Sequence, residues 1–280
     1  MMNQYLTSRV GAGQFSITFG VEIISLGVYT CHVRMVMNMK WHYASDVGTV
    51  RDQNEDVALV EEIPEGILAV VCDGLGGCLA GEVASEVAAN TLRDAYLEML
   101  EETHHPGDAL EEGVRKANRR VWELSASVDE YTGMGTTLTA LWTDGSRAWF
   151  ASVGDSRGYL FRKGALTQVT EDQSYVWELY RQGAITKEQM VNHPMNHLIS
   201  MAVGLKAELE SGDIGLHQLE VTRDDLLMLC SDGLTDVMED DAIAELLGQE
   251  GSLEQHCSHL VEEVNRISGG DNTTMLLVRI

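Results

Sequence analysis

Four aspartates, each beside glycine at the end of a short apolar run, constrain this chain more than any other feature. Asp73 follows Ile67–Cys72 and leads into Gly74-Leu75-Gly76-Gly77. Asp155 follows Trp149–Val153 within Gly154-Asp155-Ser156-Arg157. Asp232 comes just after Leu226–Cys230 and before Gly233, and Asp271 sits in Gly269-Gly270-Asp271-Asn272 ahead of the apolar run Thr273–Ile280. Runs of this length, rich in Val, Ile and Leu and bounded by Gly, Asp and Ser, read as buried strands. Any one Asp-Gly after a strand is by itself an ordinary turn. Four of them put carboxylates on rigid strand ends from which side chains converge, and converging carboxylates stay ionised only around a cation.

The ligand chemistry narrows the cation. Carboxylates, a backbone carbonyl exposed by Gly74 and water suit Mg²⁺ or Mn²⁺, whereas a zinc site would draw on thiolates. Upstream lies Ser45–Asp56, which contains Arg51 and the acidic pair Glu55-Asp56. The pair alone would pass for a solvated turn, and Arg51 for a surface cation. Beside a carboxylate–metal cluster, however, a guanidinium makes a phosphate-ester site, because Arg grips phosphate bidentately with permanent charge.

The rest of the chain is consistent with one domain over 41–280. No Pro/Ser-rich linker, repeat or low-complexity block interrupts it after Trp41. Thr136–Trp142, Arg147–Val153 and Asp225–Cys230 are further strand candidates. Asp108–Ala126 and Ser252–Ile267 carry apolar residues at alternating spacings of three and four, which is helical, and Gly81–Leu100 is an alanine-rich third helix. Ser252 with Gln255 reads as a capping box, and Thr186 with Gln189 opens a short fourth helix. Tight turns at Asp144-Gly145 and Lys163-Gly164 join neighbouring strands, which predicts antiparallel sheets covered by helices.

A formal net charge of −25 opposes a nucleic-acid backbone and anionic membranes as partners. The five cysteines form no CxxC pair, which reads as a reduced, cytoplasmic protein without a disulfide framework. Residues 1–40 stand apart as an N-terminal extension. Phe15–Val36 is apolar but broken by Glu22 and closed by His32 and Arg34, short of a clean membrane span, and no small-residue cleavage site marks a secretory signal. Met35, Met37 and Met39 suggest translation starting there, with the upstream residues misassigned or disordered.

Seven segments stand in order: Ser45–Asp56, Val71–Gly77, Gly81–Ala84, Gly133–Thr137, Gly154–Arg157, Cys230–Leu234 and Gly270–Thr274. Together they resemble the bacterial branch of the metal-dependent protein phosphatase 2C family, over about residues 41–280. The resemblance implies an α+β fold, a four-layer α-β-β-α sandwich of two antiparallel sheets flanked by helices. It implies a serine/threonine protein phosphatase with two Mn²⁺ or Mg²⁺ ions in the core site and a third, weaker one. Asp73 would bridge two metals with the Gly74 carbonyl, and Asp232 and Asp271 would hold one of them. Glu55 and Asp56 would hold the other ion or its waters, and Asp155 with Asp232 the third. Arg51 would bind the substrate phosphate, and Asn272 would support the ligand loop. Arg51, Asp56 and Asp73 are thus the expected catalytic set, and phosphorylated proteins, a Ser/Thr kinase among them, the expected partners.

Two departures stand out. Eukaryotic members carry a histidine, proposed as general acid, where this chain has Leu75. In the flap, relatives commonly read His-Pro-x-Arg-Asn and then Leu-Thr-Arg, whereas this chain has His193-Pro194-Met195-Asn196-His197 and Ile199-Ser200-Met201. That leaves the substrate preference open, not the chemistry. His193 and His197, spaced i, i+4 like metal ligands but with Pro194 between them beside a hard-oxygen site, read as substrate-loop residues or plain surface histidines. A pseudophosphatase that binds phosphoprotein without turnover is the alternative, and a two-metal nuclease is disfavoured by the net charge.

Overall fold

The computed structural model describes residues 6–7, 16–23, 29–36, 39–75, 80–191, 193–210 and 212–280, the first three stretches in backbone alone. Among these, β1 (Leu6–Thr7), β2 (Ser16–Ile23) and β3 (Tyr29–Val36) pair antiparallel as a separate three-stranded sheet. Gly76, Gly77 and Cys78 lie outside the described residues, as do Met37 and the sequence between β2 and β3.

The remainder builds four layers. One sheet runs β11 (Ala165–Gln168), β10 (Arg157–Arg162), β13 (Leu226–Cys230), β14 (Thr273–Arg279), β4 (Lys40–Asp46). The other runs β12 (Gly215–Glu220), β9 (Arg147–Val153), β8 (Leu138–Thr143), β6 (Gly66–Leu75), β5 (Asp56–Ile63), with β7 (Gly135–Thr136) on the end of β6. Every pairing is antiparallel. Helices α1 (Ala80–Thr103) and α2 (Pro106–Ser127) cover the second sheet. The first is covered by α5 (Asp232–Thr235), α6 (Asp240–Leu247) and α7 (Leu253–Ile267). Between β11 and β12 the chain makes a long excursion containing α3 (Tyr175–Arg181) and α4 (Lys187–Val191).

The central strands are apolar on both sides because both sides are buried. Along β6, Leu68, Val70 and Cys72 point to the α1/α2 layer, while Ile67, Ala69 and Val71 face the other sheet. Strands β13 and β14 do the same: Met228, Cys230, Met275 and Leu277 pack under the helices, and Leu227, Leu229, Leu276 and Val278 fill the space between sheets. The period of two is intact, and the continuous hydrophobic run is two half-cores interleaved. Cys72, Cys230 and Cys257 are free and buried in these layers.

Local signals are realised where chemistry requires them. The Ser252 hydroxyl accepts from Gln255 N, and the Gln255 side chain accepts from Ser252 N, closing the capping box of α7. Thr186 and Gln189 exchange the same pair of bonds ahead of α4. Lys163 and Gly164 both take positive φ in the β10–β11 hairpin, the backbone a two-residue hairpin turn demands.

Candidate active site

The register of one hairpin builds the floor of the site. Strands β5 and β6 pair so that Asp56 lies directly opposite Asp73. Two carboxylates facing each other across a ladder repel, so each is held by neighbours. Asp56 is buried, and its Oδ2 accepts from the Ser231 hydroxyl at 2.7 Å, while the Thr274 amide donates to that same hydroxyl oxygen at 3.0 Å. Among the described residues its Oδ1 has no hydrogen-bond partner of normal geometry. Asp73 is fixed through its backbone: its N–H donates to the Thr137 hydroxyl at 2.9 Å, and its carbonyl accepts from Thr137 N at 2.8 Å and the Thr136 hydroxyl at 2.9 Å.

The other carboxylates arrive from the first sheet and the turns. Asp232 is the first residue of α5, immediately beyond β13. Asp155 stands in the turn between β9 and β10, beneath which Thr137 and Ser156 share a 2.7 Å hydroxyl bond. Behind that turn Arg157 makes a buried fork onto Asp172, Nε to Oδ1 at 2.9 Å and Nη2 to Oδ2 at 2.6 Å. Asp271 precedes β14 and accepts from Arg51 Nη2 at 2.8 Å. Asn272 clasps the loop that bears Arg51: its Nδ2 donates to the Val47 and Gln53 carbonyls at 3.0 and 2.9 Å, and its Oδ1 accepts from Glu55 N at 2.9 Å.

Gly74 and Gly81 explain the close approach at the second-sheet end. A Cβ on Gly74 would stand 2.3 Å from the Gly81 carbonyl oxygen and 2.8 Å from that of Glu55. A Cβ on Gly81 would stand 2.7 Å from the Glu55 carboxyl carbon, so the Glu55 carboxylate occupies the space glycine leaves at the start of α1. The Gly74→Ala variant is therefore expected to lose roughly 2–3 kcal/mol of stability, the scale of overpacking in a tight core. Urea unfolding measures that loss, and turnover should fall with it as the α1 start is pushed from Glu55.

Electrostatically the cluster is poised for a cation. Burial first, then the Asp232 and Asp56 charges, push Asp73 well above the ordinary carboxylate range. Asp232 is raised likewise, by burial and then by Asp155 and Asp236. Burial and then Asp172 push Asp155 up to about 7, and burial lifts Asp56 to about 6 against the Ser231 hydrogen bond. Glu55 is raised by burial, which outweighs Arg51. Among the described residues no three His, Cys, Asp or Glu side chains already close on one point as a finished metal cage. The uncapped Asp56 oxygen together with the upward-shifted carboxyls is the chemistry a hard cation satisfies.

The sequence-predicted residues fall into two groups. Arg51, Glu55, Asp56, Asp73, Gly74, Asp155, Asp232 and Asp271 gather at one end of the sandwich through the bonds and mutual charge effects above. The histidines are more loosely related to it. His193 is half-buried, its Nδ1 accepting from Met195 N at 3.2 Å and its ring 6.3 Å from that of Tyr175. His197 is exposed and lies near Asp236, whose carboxyl burial raises above its ordinary range. Leu75 pairs with Gly135 on β7, so no imidazole stands beside Asp73-Gly74. Sequence reasoning assigned no role to Ser231, Thr136, Thr137 or Arg157, although each sits inside a motif it quoted, nor to Gln173.

Comparison with known proteins agrees with this geometry. The family model described as "Protein phosphatase 2C" matches residues 50–265. The serine/threonine phosphatase stp of Listeria monocytogenes is 36% identical over 243 residues, 86% of this chain and 95% of that protein. The structure of serine/threonine phosphatase Stp1 from Staphylococcus aureus superposes with a TM-score of 0.80 at 31% identity, covering 89% of this chain and 98% of the other. The catalytic domain of phosphatase PstP, solved in complex with two manganese ions, gives 0.71 at 35% identity, covering 86% and 97%. These relatives carry phosphatase names and lend no support to the non-catalytic alternative. With a matched model over most of its length, a relative 36% identical over 243 residues and two sheets stacked as theirs are, the chain belongs to the protein phosphatase 2C family.

Proposed function

We propose that this protein hydrolyses phosphoserine and phosphothreonine in other proteins with the help of Mn²⁺ or Mg²⁺. The observation that carries the reading is the facing Asp56–Asp73 pair, Asp56 buried with one oxygen lacking a hydrogen-bond partner among the described residues, ringed by Asp232, Asp155, Asp271 and Glu55 and flanked by Arg51. Asp73, Asp56, Asp232, Asp271, Glu55 and the Gly74 carbonyl would hold two ions, and Asp155 with Asp232 a third. Such ions, when bound, supply Lewis acidity to phosphoryl oxygens and make water acidic near neutral pH. The remaining work belongs to the protein. Arg51 spends one donor on Asp271 and keeps the others for the phosphate. Asn272 holds the Arg51–Glu55 loop so that guanidinium and carboxylates face one substrate. The rigid backbone of Asp73, fixed by Thr136 and Thr137, limits reorganisation as charge develops. His193 and His197, on the excursion between β11 and β12, would meet the polypeptide around the phosphorylated residue. The matching biological setting is reversal of a Ser/Thr kinase in the cytoplasm; among the described residues no helix is long and apolar enough to cross a membrane.

Phosphate release from a phosphothreonine peptide in Mn²⁺, in Mg²⁺ and in EDTA tests the reading. Release with metal and none with EDTA is expected, and a folded protein silent under every metal would overturn it. In the same assay Arg51→Ala should raise KM about 10- to 100-fold, the worth of a charge-assisted hydrogen bond.

A further inference from the structure

Gln173 stands where the excursion between β11 and β12 leaves the sandwich, directly before Ser174, the N-cap of α3. It makes four hydrogen bonds. Its N–H donates to the Gly154 carbonyl at 2.9 Å, and its Oε1 accepts from the Gly154 N–H at 2.9 Å. Its Nε2 donates to the Asp213 carbonyl at 2.8 Å, and its own carbonyl accepts from Ser200 N at 2.7 Å. One residue therefore takes both backbone groups of Gly154, the neighbour of Asp155, and also ties the middle and the far end of the excursion. Gly154 has little freedom of its own: it holds φ +105°, and a Cβ there would lie 2.8 Å from the Thr137 side chain. The residue before Gln173 is anchored as well, by the buried Arg157 fork on Asp172. At its other end the excursion is tied to the site in parallel, through paired bonds between Val203 and Thr136, whose hydroxyl donates to the Asp73 carbonyl.

We propose that Gln173 is a positioning residue whose side chain keeps the Asp155 turn and the substrate-facing excursion in register, so that docking of a phosphoprotein and placement of the Asp155 carboxylate are one event. The proposal rests on the phosphatase reading above. A surface turn needs one or two local bonds, and a glutamine whose amide divides between Gly154 and Asp213 carries the β9–β12 pairing, which ends with Ser152 opposite Gly215, on across the Asp155 turn to the excursion. Loss of the side-chain arms leaves both segments held by backbone bonds alone, with a looser register between the Asp155 turn and the excursion.

Gln173→Met removes the amide arms and keeps length and both backbone bonds. On a small aryl phosphate, which needs no docking, kcat should fall about tenfold, the worth of one hydrogen bond, with KM unchanged. On a phosphothreonine peptide kcat should fall by the same factor and KM rise about fivefold or more. A KM rise with kcat intact on both substrates would confine Gln173 to docking and overturn the proposal. So would an equal loss of kcat on both with KM fixed, the mark of a smaller folded fraction. Ser252→Ala, which removes the α7 cap, supplies that comparison. Wild-type protein inactive on both substrates would sink the phosphatase reading instead. Hydrogen exchange without substrate then still decides: in Gln173→Met the Gly154 and Ser200 amides should both exchange at least about tenfold faster. Ser200 bonds the main chain of residue 173, which the substitution leaves in place, so its amide staying protected while Gly154 speeds up would refute the coupling.

Discussion

Asp73→Asn is expected to abolish turnover while making the cation-free protein more stable. Asparagine matches aspartate in size, and the bonds that fix residue 73, from Thr136, Thr137 and the β5 ladder, all use backbone atoms, so the fold has no reason to change. The charge it removes is one the protein holds against burial and against Asp232 and Asp56. That repulsion is useful only when a cation sits among the carboxylates. Losing a central anionic ligand should forfeit at least about 4 kcal/mol of transition-state stabilisation, or roughly a thousandfold in kcat. Phosphate release from a phosphothreonine peptide and thermal unfolding in EDTA check both halves. A variant keeping a tenth of wild-type activity, or melting below wild type in EDTA, would contradict the central place given to Asp73.

The second large effect concerns pH. In the folded protein Asp56 is pushed up to about 6 and Asp155 to about 7, while both sit near 3.8 when unfolded. Between about pH 4 and 7 the folded state therefore keeps protons that the unfolded chain has released. Stability of the cation-free protein must fall as pH rises through that window and stay low above it. Raising Asp56 alone from 3.8 to about 6 amounts to something on the order of 3 kcal/mol at neutral pH. For a domain of this size that corresponds to roughly 5–10 °C in Tm between about pH 4 and pH 7 in EDTA. Millimolar Mn²⁺ should cancel or reverse the slope, because the ion competes with protons for the same oxygens and binds better as they leave. Scanning calorimetry across that range, with and without Mn²⁺, is the measurement. A flat Tm in EDTA would mean that these carboxylates are solvated in the folded state.

What the sequence made legible follows from how completely each element is buried. Arg147–Val153 was expected as a strand and is β9 to the residue, and the strand expected over Asp225–Cys230 begins one residue later. These strands lie inside sheets with both faces covered, so their side chains announce them. Edge strands β4, β5 and β12 were not singled out, because one flank of each is free and most of their residues are only half-buried or exposed. The helices were clearer still, since the cap of α7 and the apolar stripes of α2 and α7 are local features. At the site, the carboxylates were legible because each is covalently beside glycine at a strand end. Their supports were not. Ser231 reaches Asp56 across 175 positions of sequence, and Thr137 reaches Asp73 across 64, so a short hydroxyl in a run of threonines gives no hint of which backbone it will hold. Gln173 was invisible for the same reason: its worth lies in the two distant segments it touches.

Strand β14 is the last of the described strands to leave the ribosome, and it belongs in the interior of its sheet, between β13 and β4. Its register pairs Arg279 with Lys40, so the first and last strands of the sandwich become neighbours only after everything between them has been made. Until then β4 and β13 each present a bare edge, the kind of surface that invites pairing with a stranger. The same late strand is preceded by Asp271 and Asn272, which complete the carboxylate ring and fasten the Arg51 loop. A nascent chain thus carries most of its acidic residues long before it can bind a phosphate or a metal, and a premature stop anywhere before Thr273 leaves a sheet missing its middle. The site is therefore complete only once the strand that closes the first sheet has been made.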